Sequence, residues 1–284
     1  MKKIALVLEG GGMRGVYTAG VIDYFIENHI ELPYVIGVSA GACHGSGYVS
    51  KQLGRGKRST IDYIGDKRYL SFKNLIKDKS IFGMNFIFDE LPKKLEPYDL
   101  EALSNFKGTF NVVATDCNTG QAVYIDCKNT KNAFMAMRAS SSLPLVSPIV
   151  KYEGKELMDG AVADSIPIEK ALNDGCDKAI VVLTRNKDFK MEPLRKVKAL
   201  IKIKYRKYPK YIKAVMSRYI RYNKTLEFID KLENEGRVLV IRPSKRLQVD
   251  RFEKNKSKLE SLYNNGYEDA KNINDKIKLF LEDN

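Results

Sequence analysis

Histidine is scarce in this sequence, with only His29 and His44 in 284 residues, and that removes the most common catalytic base from most arrangements. Neither follows an acid in the Ser, Asp, His order of the α/β-hydrolases, so both read as structural, with His44 a neighbour of any pocket near residue 39. Cysteine is scarce too. Cys43, Cys117, Cys127 and Cys176 form no Cys-x-x-Cys pair and have no His partner at metal-ligand spacing, which argues against a zinc site and a disulfide framework. Cys117 and Cys127 could face each other across a hairpin, but buried thiols are the expectation. No stretch approaches the roughly eighteen apolar residues of a membrane-spanning helix. Met1 to Leu8 begins like an export signal, but Glu9 and three glycines end the apolar run too early, so the cytoplasm is the expected address. No Asp-x-Asp-x-Asp-Gly loop suggests calcium, and no metal or organic cofactor is expected.

Acidic residues are missing from one place in particular. From Lys190 to Lys224 thirteen Lys and Arg face the single Glu192, a local charge of +12 in a chain of +14, so the remainder is close to neutral. Through that segment Leu194, Val197, Ile201, Tyr205, Tyr208, Ile212, Val215, Tyr219, Tyr222, Leu226 and Ile229 step by threes and fours, as in a helical pair broken or kinked at Pro209. Three readings stand: packed helices with a solvated basic face, an interfacial surface for anionic lipid with tyrosines at headgroup depth, or a nucleic-acid site. No nucleic-acid motif accompanies the charge, so no specific nucleic acid is expected.

What is present describes a globular α/β protein. Hydrophobic residues at 44% and charged residues at 30% rule out a disordered chain, and the length suits one main domain with an appendage. Ile4 to Leu8 reads as a strand buried on both faces, followed by Gly10-Gly11-Gly12-Met13-Arg14-Gly15 and a helix over Val16 to Glu27. The glycine loop lacks the Gly-Lys-Ser/Thr of a P-loop, and the place of a dinucleotide site's acidic residue is taken by other residues, which leaves an oxyanion hole. Tyr34 to Ile36 is a second strand. It runs into Gly37-Val38-Ser39-Ala40-Gly41 and a helix over Ala40 to Gln52, the strand, turn and helix in which G-x-S-x-G forms a nucleophile elbow. By itself that pattern is equally a glycine turn with a serine N-cap.

Further along, Leu70 to Ile76 and Leu95 to Leu103 look helical, and the aromatic stretch Ser80 to Phe88 reads as core or as the wall of an acyl-chain pocket. Phe110 to Thr115 and Ala122 to Ile125 form a hairpin around Asn118-Thr119-Gly120-Gln121. Lys131 to Arg138 is a short helix, Pro167 to Asn173 a helix opened by an N1 proline, and Ala179 to Leu183 a buried strand. Arg237 to Ile241 is a last strand, and Lys254 to Leu281 one or two helices interrupted near Asn264-Asn265-Gly266.

Three motifs stand in order: Gly10 to Gly15, Gly37 to Gly41, and Asp159-Gly160-Ala161, the last preceded by Ala139-Ser140-Ser141-Ser142-Leu143-Pro144. Over about residues 1 to 185 this combination resembles the patatin-like phospholipases, in a layout similar to bacterial members with a C-terminal extension. Glu9 stands where many members have Asp or Ser, a position read as carrying no chemistry. The resemblance implies a three-layer α/β/α sandwich around a mostly parallel sheet, which the hairpin makes mixed, plus a basic helical extension. The expected parts are a catalytic domain over 1–188, a basic amphipathic helical segment over 189–235, and a strand and helices over 236–284 packed on the catalytic domain.

The resemblance also implies a serine lipid acyl hydrolase of the phospholipase A or lysophospholipase type, working through a Ser39–Asp159 dyad and an acyl-enzyme. Gly10, Gly11, Gly12, Met13, Arg14 and Gly15 would supply the oxyanion hole, Gly37 and Gly41 the elbow, and Gly160 and Ala161 the turn beside the aspartate. Asp116 and Asp164 are rivals without the Gly-Ala context. An ordinary aspartate is a weak base, so partial desolvation is expected to raise Asp159. Arg14 either meets a phosphate headgroup or is a surface arginine in the first helical turn. The expected partners are a lipid or acyl-ester substrate and, through 190–224, an anionic membrane at the inner surface. A thioesterase or acyltransferase on the same dyad, and a non-enzymatic binder using the basic helices, remain alternatives.

Overall fold

Eight strands make one sheet: β1 (Ile4–Leu8), β2 (Tyr34–Val38), β3 (Thr109–Asp116), β4 (Ala122–Asp126), β5 (Val150–Tyr152), β6 (Lys155–Asp159), β7 (Lys178–Val182) and β8 (Val238–Ile241). The computed structural model describes residues 2–128, 132–246 and 248–282. The order is β5-β6-β3-β2-β1-β7-β8, with β4 also on β3. The pairs from β3 through β2, β1 and β7 to β8 are all parallel, whereas β4, β5 and β6 join antiparallel.

Alternation along the strands explains the layers. Leu6, Leu8, Val35, Val112 and Val182 pack to one face with α1 (Val16–Glu27), α2 (Ala40–Val49) and α10 (Lys256–Asn272). Ala5, Val7, Ile36, Val38 and Val181 pack to the other with α7 (Ile168–Asn173) and the long α9 (Pro209–Asn234). A sheet with both faces covered needs apolar residues at successive positions, which is why β1, β2 and β7 are buried throughout. The remaining helices are α3 (Arg55–Thr60), α4 (Phe72–Lys77), α5 (Leu100–Asn105), α6 (Ala133–Ser140), α8 (Lys198–Lys204) and α11 (Asn274–Glu282).

Register brings two distant motifs together. Ala114 and Thr115 pair with β4 and with β6, and Val112 and Val113 pair with β4 and with β2, so β2 and β6 share the edge of β3 opposite β4. Val38 faces Val113 and Asp159 faces Ala114. The carboxyl ends of β2 and β6 therefore meet head to head. Gly160 allows this approach, because a Cβ there would lie 2.1 Å from the Val113 carbonyl oxygen.

Several boundaries differ from the sequence reading. The last helices break at Ile273, not near Asn264-Asn265-Gly266, because Gly266 lies inside α10 where a Cβ would be 2.0 Å from the Tyr17 oxygen of α1. Gly20 makes the reciprocal approach to Tyr263, so these glycines serve a close helix crossing. The hydroxyls of Tyr17 and Tyr263 tie the same crossing to Asp269 and Asp23. Pro209 opens α9 at its first turn, where its missing N–H costs nothing. Pro167 precedes α7 as its cap. The expected helix over Leu95 to Leu103 is found only from Leu100, in α5; Leu95 ends a wider π-type helix over Phe86–Leu95, and residues 96–99 between them are not helical. The expected helix start at Lys131 lies outside the described residues, and α6 is capped by the Asn132 side chain, which accepts from the Met135 N–H.

Candidate active site

Ser39 sits between β2 and α2 with φ 55° and ψ −122°, a left-handed conformation that costs a non-glycine residue strain of order 1–3 kcal/mol. The strain is held by packing: Ser39 is 5% exposed, and its N–H donates to Ser140 Oγ at 2.7 Å. Gly10 lies against this elbow, where a Cβ would stand 2.9 Å from the Val38 oxygen and 3.1 Å from Ser39 Cβ. Gly37 and Gly41 occupy the end of β2 and the first turn of α2.

Asp159 ends β6 and is 2% exposed. Its N–H donates to the Ser142 carbonyl at 2.9 Å, and its side chain accepts from the Ala161 N–H at 2.8 Å. The Ser-rich stretch thus holds both motifs, Ser140 on Ser39 and Ser142 on Asp159. Burial pushes the Asp159 carboxyl above the ordinary carboxylate range, opposed by Arg218, the Ala161 N–H, Arg251 and the nearby Ser39 hydroxyl.

The loop from Gly10 to Gly15 passes over the elbow, its second half forming a tight 3-10 turn over Gly12–Gly15. Among the described residues the backbone N–H groups of Gly11 and Gly12 have no acceptor. Met13 differs from the expected donor set, because its N–H is occupied by the Arg251 carbonyl at 3.2 Å. Gly15 packs against Ala40 at the start of α2. Arg14 is not on the surface; it is 7% exposed, and its Nε has no hydrogen-bond partner.

The rivals lie elsewhere. Asp116 closes the β3–β4 turn by accepting from the N–H groups of Asn118 and Thr119. Asp164 accepts from Tyr124 in a separate cleft and is pushed up to about 6 by burial. His44 does border the pocket beside Ser39, where burial pushes it down to about 4 and keeps it neutral. Cys43 borders the same pocket as a free thiol pushed up to about 11 by burial, and Cys117, Cys127 and Cys176 are free and buried. Among the described residues no cluster of three or more His, Cys, Asp or Glu could share a metal ion.

Two cavities open on Ser39. One is apolar and lined by Tyr69, Phe82, Phe88, Leu91, Phe134 and Met137, so the aromatic stretch is both core and pocket wall. The other, smaller, is bordered by Asp159, the glycine loop and four arginines, Arg14, Arg185, Arg218 and Arg251. Sequence reasoning singled out only Arg14 of these, since Arg218 is one cation among thirteen in its segment and nothing local marks Arg185 or Arg251. Glu9 borders the same cavity. Its carboxylate accepts from the Thr184 N–H at 2.6 Å and the Tyr222 hydroxyl at 2.7 Å, joining the first loop to the end of β7 and to α9.

A serine on a strained strand-to-helix elbow, set beside a buried aspartate where two strands meet end to end, defines a class of α/β sandwich proteins built around a nucleophile-elbow geometry. Within that class the chain belongs to the patatin-like phospholipase family, whose model matches residues 6–172. A second model, a domain of unknown function (DUF6363), matches residues 208–282. The uncharacterized protein YjjU of Escherichia coli (strain K12) is 24% identical over 188 residues, covering 64% of this chain and 52% of that protein. Lysophospholipase NTE1 of Meyerozyma guilliermondii is 25% identical over 188 residues, covering 63% of this chain and 12% of the relative. The chain thus matches about half or less of these relatives' lengths. Among solved structures, VipD from Legionella pneumophila aligns with a TM-score of 0.49 at 14% identity, over 97% of this chain and 67% of that one.

Proposed function

We propose that this chain is a serine acyl hydrolase acting on lipid esters, of the phospholipase A or lysophospholipase type, with Ser39 as nucleophile and Asp159 as base. The observation that carries this reading is the meeting of Ser39 and Asp159 at the abutting carboxyl ends of β2 and β6, with an apolar pocket opening on Ser39. Asp159 takes the Ser39 proton as Oγ attacks the ester carbonyl, and the N–H groups of Gly11 and Gly12 stabilise the oxyanion. Asp159 then protonates the leaving alcohol, and water repeats the cycle on the acyl-enzyme. A raised carboxyl suits the first step, since it is a better proton acceptor than an ordinary aspartate, and in its protonated form it then supplies the leaving alcohol's proton.

The test is intact-protein mass spectrometry after exposure to a fluorophosphonate. One adduct on the wild type and none on Ser39→Ala is the expected result. An unmodified, folded wild type would remove Ser39 from the mechanism.

Contact with an anionic membrane, on the cytoplasmic side, goes with this reading. It is supported by α8, where Leu200 and Ile203 are 56% and 68% exposed among Lys198, Lys202 and Lys204. No helix among the described residues is long and apolar enough to cross a membrane. Co-sedimentation should be stronger with anionic than with zwitterionic vesicles and should weaken with salt. Equal binding to both would count against the surface.

A further inference from the structure

The smaller cavity at Ser39 gathers more positive charge than the protein neutralises. Arg14 lies in the fields of Arg185 and Arg251, Arg185 in that of Arg251, and Arg218 in that of Arg251. The carboxylates that line the cavity are Glu9 and Asp159, and Glu9 is already engaged by Thr184 and Tyr222. Four guanidiniums against two carboxylates leave a surplus of two charges. Among the described residues no ion pair within 4.0 Å includes any of the four. Burial and its cationic neighbours push Arg14 down to about 10, and its Nε stays unpartnered at 7% exposure.

The cluster is built rather than incidental. Arg251 is fixed by its backbone, whose carbonyl accepts from Met13, and its side chain packs on Gly12. The guanidinium of Arg185 lies 4.2 Å from the centre of the Phe189 ring, and Arg218 Nε donates to Ser165. Arg218 and Arg251 both come from the part of the chain that follows residue 172, where the patatin-like match ends. Unpaired, partly desolvated guanidiniums are costly, and a ligand that brings two negative charges in a tetrahedral array of acceptors removes that cost.

We propose that this cavity is the headgroup subsite of the reaction at Ser39 and that it takes a phosphomonoester dianion, so the preferred substrate is an acyl ester of glycerol phosphate. The proposal rests on the Ser39–Asp159 reading for its chemistry but not for its binding. The acyl chain enters the apolar pocket and the phosphate meets the arginines, with the ester carbon at Ser39 between them. A phosphomonoester is largely dianionic at neutral pH. A choline headgroup would instead bring a cation against four arginines.

The test compares kcat/KM for lysophosphatidate, lysophosphatidylcholine of the same chain and an uncharged nitrophenyl ester. The proteins are wild type, Arg185→Gln, Arg251→Gln and Arg185→Lys. Wild type is expected to prefer lysophosphatidate over the choline lipid, and each Gln variant to cut that ratio by about tenfold to a hundredfold, with Arg185→Lys in between. A ratio near one, or one unmoved by the Gln variants, overturns the proposal. Thermal shift with sn-glycerol 3-phosphate is read on wild type and Ser39→Ala, so that binding is measured without turnover. A rise in both that is lost in the Gln variants supports the subsite even if no ester is cleaved, in which case the catalytic reading alone fails. No rise overturns the subsite. Inorganic phosphate raising the midpoint as much as glycerol phosphate, with no preference for lysophosphatidate, makes this a free-anion site and overturns the headgroup assignment.

Discussion

The two cavities that meet at Ser39 are made of opposite materials. The apolar one is walled by aromatic and aliphatic side chains from the π-type helix, α6 and the loops before them, within the first 143 residues. The charged one is assembled from loop ends, α9 and the segment before α10, and its arginines lie up to 237 positions apart. An apolar wall discriminates gradually, by about 0.8 kcal/mol for each buried methylene, whereas a site built for charge rejects what cannot pair with it steeply. Chain length should therefore be tolerated and headgroup charge selected.

The largest effect should come from removing the hydroxyl that both cavities border. Ser39→Ala is expected to lower hydrolysis of every ester by at least about four orders of magnitude while the far-ultraviolet spectrum is unchanged. Retained turnover would dissolve the link between the two sides. Asp159→Asn should lower kcat by roughly two to four orders of magnitude, with the acid limb of the wild-type profile lying above the ordinary carboxylate value. Its stability should move the other way. Because the folded carboxyl is raised, the folded state favours the protonated form, and stability is lost as pH rises from the ordinary value of 3.8 through the folded one. Asp159→Asn should melt above the wild type at pH 7, and the gap should close as pH falls towards 4 or below. A lower midpoint at pH 7 would mean that Arg218 and Arg251 outweigh burial.

Gly160→Ala tests how the meeting of β2 and β6 brings the cavities to one point. The new Cβ would collide with the Val113 carbonyl, at a cost of about 1–3 kcal/mol in denaturant unfolding, with activity falling because Asp159 is displaced. An unaltered midpoint would show that the junction can yield. The smallest change is expected at the apolar wall, where Phe134→Ala should shift the preference towards longer acyl chains by only a fewfold per methylene. A change in headgroup preference in that variant would break the division of labour.

Local patterns carried much of this. The apolar runs of β1, β2 and β7, the elbow at Ser39 and the hairpin after β3 are each written in contiguous residues, because strand burial and turn chemistry are local. The Gly266 reading failed for a reason of the same kind. A glycine at a helix crossing and a glycine that ends a helix look alike in sequence, and only the opposing Tyr17 carbonyl tells them apart. The anchoring of Glu9 and the burial of Arg14 were not legible locally, because their neighbours, Thr184, Tyr222, Arg185 and Arg251, lie some 170 to 240 positions away.

By itself the sequence determined the order of the elements, the backbone strain at residue 39 and the presence of an acidic motif at Asp159. Tertiary structure decided that β2 and β6 abut along one edge of β3, which brings the serine to the aspartate. It also decided that a helix dense in lysine and arginine covers one face of the sheet with Tyr222, Ile229 and Leu232 while turning Arg218 towards Asp159. Charge pairing depends on distance through space, and sequence separation does not encode that distance.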